Sequence, residues 1–176
     1  MERGRILVAR QDRLYVFKLV GEVRKTAEVS YKVSAALNEY VNKLMEARDF
    51  DSVVIDLTEL TCIDSMNLGL LAQIGAFMRE AFNRQPTVIS TRQDITALLH
   101  TMGLDCLFTV IHEPRDLDAN LEELPPMTVS ERDTLRMVLE AHKTLAELSD
   151  KNRETFKDVI AVLETQMGNN DRATSS

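Results

Sequence analysis

The chain has 176 residues, 44% of them hydrophobic and 28% charged, enough for one domain with a real core plus an appendage. The formal charge is −7, no stretch clusters Lys and Arg, and aromatics make up 5% with no Trp, which argues against a phosphate-rich partner and against base-stacking platforms. Cys62 and Cys106 stand in no metal-type spacing and fit a reducing compartment, and no run reaches the roughly 18 apolar residues of a membrane span. A cytoplasmic protein with no nucleic-acid and no membrane partner is the expectation.

In chain order, residues 5–10 and 14–20 are β-rich runs joined by the polar Gln11-Asp12-Arg13, a hairpin, with Gly21 expected to end the second strand. Between Ser30 and Ala47 the apolar positions Val33, Ala36, Leu37, Tyr40, Val41, Leu44 and Met45 recur at three and four residues, the mark of an amphipathic helix. Residues 52–57, S-V-V-I-D-L, read as a central strand covered on both faces. A polar loop over 58–63 is expected next, then a helix over 66–83 and a short strand over 86–89. Thr91-Arg92-Gln93-Asp94 fits a capping box opening a third helix to Met102, and Gly103 suits its left-handed terminus. Residues 106–112 read as a last strand and 116–123 as a closing helix. The order β-β-α-β-α-β-α-β-α predicts an α/β domain with a mixed sheet and flanking helices.

Beyond Pro125-Pro126 the strand signal disappears. Ser130-Glu131-Arg132-Asp133 opens a helix with Leu135, Val138, Leu139, Leu145 and Leu148 on one stripe, interrupted by His142. After a break at Ser149-Asp150, a second helix carries Phe156, Val159, Ile160 and Leu163. The expected division is 1–123 for the domain, 124–167 for a helical hairpin and 168–176 for a disordered tail.

Catalytic patterns are missing: there is no G-x-S-x-G, no H-E-x-x-H and no glycine-rich loop ending in Lys-Ser or Lys-Thr. His100, His112 and His142 are isolated in sequence and read as satisfied structural or surface residues. No enzyme activity, cofactor or metal is expected. The unusual segment runs from the strand at 52–57 through Asp64-Ser65 into the following helix, where free N–H groups and the positive dipole end gather. A Ser there caps the helix or holds a phosphate, and phosphorylation would add about −1.5 to −2 charges beside Asp64.

Asp64-Ser65-Met66-Asn67-Leu68-Gly69-Leu70-Leu71 resembles the D-S-S/T-G-L-G signature of STAS domains of the bacterial anti-sigma-factor antagonist type. The preceding VVIDLTELTCI and the later LLHTMGLDCLFTVI resemble that family's strand and loop before the signature and its helix-Gly-Leu-strand near the domain's end. The resemblance covers residues 5–121 and implies partner switching. The unphosphorylated antagonist binds an anti-sigma factor, often a kinase, and frees the sigma factor; phosphorylation at the third motif position blocks binding, and a phosphatase reverses it.

On that resemblance Asp64, Ser65, Met66, Asn67 and Leu68 form the partner-binding surface, on an exposed helix start. The chain departs from the signature where Met66 replaces the hydroxyl and Asn67 the glycine. Either Ser65 is the acceptor, or the switch is not set by phosphorylation here, or Met66 is an altered residue in this chain. The C-terminal helices resemble the extension of a subgroup partnered with a response regulator bearing a phosphatase-like output domain. They read either as an intramolecular cover or as a docking or homodimerisation surface. The expected role is control of a stress, motility or biofilm programme; the alternative is a STAS adaptor subunit of a transport complex such as a lipid-trafficking ATPase.

Overall fold

The computed structural model describes residues 2–25, 31–117 and 119–175. Strands β1 (Arg5–Gln11) and β2 (Leu14–Val23) form the expected hairpin, turning at Asp12 with φ 52°. Helix α1 (Lys32–Ala47) follows, then β3 (Ser52–Ile63), α2 (Ser65–Phe82), β4 (Thr87–Ile89), α3 (Gln93–Thr101), a 3-10 turn (Leu104–Cys106), β5 (Thr109–Ile111) and β6 (Glu122–Glu123). The C-terminal hairpin is α4 (Glu131–Ala146) and α5 (Asp150–Thr174). The sheet order is β5-β4-β3-β2-β1-β6. β1 pairs antiparallel with β2 and β6, whereas β2, β3, β4 and β5 run parallel, so the mixed α/β sheet with flanking helices stands.

Inside the sheet, β3 alternates Val53, Ile55 and Leu57 into the main core. The other face of β3 is only partly covered. Val54 is half-buried, and Asp56 is buried with Thr58 Oγ1 donating to it at 2.7 Å and Lys18 Nζ 3.8 Å away. Glu59, and after it Asp56, hold the Lys18 ammonium above its ordinary range against the cost of desolvation.

Several local expectations are overturned. Gly21 does not end β2: with φ +71° it marks an irregularity in the β2–β3 register, and a Cβ there would lie 2.6 Å from the Glu2 carbonyl oxygen. Residues 58–63 are strand rather than loop, because β2 extends beside them and pairs Val20 to Glu59 and Val23 to Ile63. Thr91 is no cap. Helix α3 starts after Arg92, whose guanidinium takes the Asp94 carboxylate in two bonds and holds it below its usual range.

The strand expected at 106–112 shrinks to Thr109–Ile111, since Leu104, Leu107 and Phe108 are buried at helical spacing after Gly103 turns the chain at φ 74°. The closing helix expected over 116–123 is absent among the described residues. The outer edge of β1 offers unpaired backbone groups, and Glu122 and Glu123 pair with Val8 and Leu7 to form β6. Helix α5 continues through Thr174, across residues expected to be a disordered tail.

The hairpin is tied to itself and to the domain. Ser130 and Ser149 cap α4 and α5, accepting from Asp133 N and Asn152 N. Arg132–Asp171 and Lys143–Glu164 bridge the two helices at 2.7 and 3.1 Å. The buried Asn152 amide donates to Leu145 O at 2.9 Å and to Met102 O at 2.8 Å, joining the hairpin's turn to the end of α3.

Candidate functional site

Because β2 and β3 run parallel, their C-terminal ends Val23 and Ile63 lie side by side, and the chain enters α2 beside them at Asp64. Asp64 is the N-cap. Its Oδ1 accepts from Asn67 N at 2.9 Å and from Asn67 Nδ2 at 2.8 Å, and its Oδ2 accepts from Lys25 N at 2.9 Å. One carboxylate thus closes the first turn of α2 and holds the chain leaving β2. Asn67, at the signature's glycine position, is fully buried, and its amide also donates to Val23 O at 3.3 Å.

Losing the cap costs about 1 kcal/mol, and a buried donor left unsatisfied adds about 1–3 kcal/mol. Asp64→Ala should therefore destabilise the domain by about 2–4 kcal/mol, read as a fall in the urea midpoint at unchanged m-value. An unchanged midpoint would show that Asp64 caps nothing of consequence.

Ser65, half-buried, opens α2. Its hydroxyl lies 2.9 Å from His142 Nε2, and His142 Nδ1 lies 2.7 Å from Val138 O. A carbonyl only accepts, so in the neutral ring Nδ1 carries the proton and Nε2 accepts from Ser65. The imidazole is buried and meets the Phe156 ring edge-on at 5.4 Å between centroids. Both ring nitrogens of His142 are satisfied, yet the residue joins two parts of the chain 77 positions apart. The other histidines go elsewhere, His100 to Asp105 and His112 to Ser90 O.

The helix start expected to be exposed is covered. Met66, Asn67 and Leu68 are buried, while Asp64 and Ser65 are half-buried. The cover is α4. A Cβ placed on Gly69 would sit 2.3 Å from Ala141 O and 2.8 Å from Ala141 Cα, so the two helices meet backbone to backbone at this point. Met137, Ala141, Leu145 and Ala146 of α4 are buried in the same core as Met66, Leu68, Leu70 and Leu71. Of the two readings of the C-terminal helices, this arrangement is the intramolecular cover.

A signal for it existed. Between Met66 and Met78, α2 carries only Asn67 and Gln73 as polar residues, and a helix apolar on all sides must be covered on two. A His on an apolar stripe likewise needs a partner.

No group of three His, Cys, Asp or Glu side chains placed to hold a metal occurs among the described residues. Cys62 is half-buried and Cys106 exposed, both as free thiols. No described helix is long and apolar enough to cross a membrane.

A mixed sheet whose parallel strands β2 and β3 bring Asp64 and Ser65 to the N-terminus of α2 frames the site. The STAS domain model matches residues 6–122, and the chain belongs to the STAS domain family. No curated protein gives a significant match. Solved structures similar to it include the unphosphorylated anti-sigma factor antagonist SpoIIAA, 12% identical over 55% of this chain and 81% of that one, with a TM-score of 0.45. The phosphorylated form of the Bacillus cell fate determinant SpoIIAA is 14% identical over 62% and 92%, with a TM-score of 0.48. An anti-sigma factor antagonist from Mycobacterium paratuberculosis is 23% identical over 64% and 86%, with a TM-score of 0.47.

Proposed function

We propose that this chain is an anti-sigma-factor antagonist, a binding switch that engages an anti-sigma factor or a phosphatase-type response regulator through the start of α2. The observation that carries the reading is the capped junction Asp64-Ser65 at that helix N-terminus, in a STAS domain whose signature segment it occupies. Ser65 has the only hydroxyl in Asp64–Leu68, and it stands where helix N–H groups favour an added phosphate. Met66, at the signature's acceptor position, is a core side chain with 3% exposure, so a kinase has no route to a residue there without opening the site. Ser65 is the phosphoacceptor of this reading. A phosphate on it would place a second anionic group beside Asp64 and break the hydroxyl's bond to His142.

Ser65→Asp should weaken binding to the anti-sigma factor by about tenfold or more, roughly 1.4 kcal/mol, and Ser65→Ala should retain binding, both by calorimetry. Equal affinity of wild type and Ser65→Asp would make Ser65 only a helix-start residue. Incubation with the kinase and ATP followed by mass spectrometry should find the phosphate on Ser65; an unmodified chain would mean a switch held in its unphosphorylated form.

A further inference from the structure

Helix α4 lies along α2 as a bound ligand would. Its stripe Met137, Ala141 and Leu145, spaced four residues apart, is buried, with the smallest member set against Gly69. The Ser65 hydroxyl, the group the switch would use, is engaged by His142 of the same helix. We propose that α4 is a removable occupant of the α2 face, and that the regulator binds there through an amphipathic helix of its own, with a small residue against Gly69 and apolar residues one turn to either side. This rests on the antagonist reading above. The face is then a helix-receiving surface, and the chain's own hairpin competes for it.

Three features of the connection suit a part that leaves as a unit. Residues 124–130, with Pro125-Pro126, carry no regular structure and link β6 to α4. Met127 N donates to Lys32 O at 3.1 Å and Asn152 Nδ2 to Met102 O at 2.8 Å, two tethers that part without unfolding an element. The ion pairs Arg132–Asp171 and Lys143–Glu164 lie within the hairpin and need not break when it swings away. With α4 in place, a regulator helix has no access to the α2 face around Gly69; with it gone, it does.

A reversible lock tests this on the full chain. The Leu148 Cβ lies 3.8 Å from a Cβ built at Gly103, within disulfide range and away from the α2 face, although a side chain at φ 74° carries backbone strain. Gly103→Cys with Leu148→Cys, and Cys106→Ser to remove the neighbouring thiol, fastens the hairpin when oxidised and frees it when reduced. Amide exchange in residues 131–146 should be at least tenfold slower in the oxidised protein, because a detached hairpin loses most of its protection. The reduced form should bind the anti-sigma factor at least tenfold more tightly than the oxidised form.

Equal exchange in the two forms overturns the removable helix whatever the binding shows. Slower exchange with equal affinity overturns the competition. If neither form binds an anti-sigma factor, the antagonist reading fails, and the exchange result alone decides whether α4 leaves. Where the disulfide variant does not fold, Ala141→Glu takes its place: it puts a charge against Gly69 on the α4 side only and should speed exchange in 131–146 at least tenfold. Wild-type exchange in that variant overturns the proposal.

Discussion

Phe50→Ala should remove about 3–5 kcal/mol of stability, a large part of the roughly 5–15 kcal/mol a domain possesses. Phe50 has no exposed surface and lies between α1 and β3. Its ring meets Tyr15 at 5.5 Å and Phe82 at 5.3 Å, both edge-on, and stacks with Phe77 at 6.2 Å. One side chain thus joins β2 to both turns of the C-terminal half of α2. Truncation leaves a cavity that β2 and α2 cannot collapse into, and it forfeits edge-to-face contacts worth about 0.5–1.5 kcal/mol each beyond the area buried. Urea unfolding should show the loss as a lower midpoint. Because Phe50 lies far along α2 from Ser65, affinity for the regulator measured well below that midpoint should be unchanged. A loss under 1 kcal/mol would mean that the aromatic cluster repacks.

Gly69→Val should separate α4 from α2 while leaving the sheet intact. Overpacking against side chains costs about 1–3 kcal/mol because side chains give way. At Gly69 the atoms in the path are the carbonyl oxygen, carbonyl carbon and Cα of Ala141, all backbone, so α4 itself has to move. The expected result is a hairpin that exchanges its amides at least tenfold faster and is cut early by protease between residues 124 and 130, with far-ultraviolet circular dichroism of the domain retained. Wild-type protection of α4 in this variant would mean that the helix contact relaxes by sliding, and that Gly69 is not what sets the approach. Gly69 also lies on the face proposed to receive the regulator, so this variant reports on docking of α4 and not on partner affinity.

The limits of what could be read from residues follow from the range of the forces involved. Alternation and three-four spacing are local, and they placed β1, β2, α1, α2, α4 and the start of α5 within a few residues, along with the Ser130 cap and the left-handed Gly103. The Asp64-Ser65 helix start was legible for the same reason, since capping is decided within one turn. Edge pairing is not local. Residues 58–63 look like a loop until β2 lies beside them, and residues 122–123 have no strand pattern until β1 offers them an edge.

The state of the candidate site was decided at longer range still. Sequence alone determined that this is an α/β chain of the STAS kind, with a serine at the start of a hydrophobic helix and two amphipathic helices left over. Only the tertiary structure decided that the leftover helices cover that serine. Two apolar stripes that cannot remain in water find the nearest uncovered apolar face, and the missing side chain at Gly69 lets α4 approach α2 closely enough for His142 to meet Ser65.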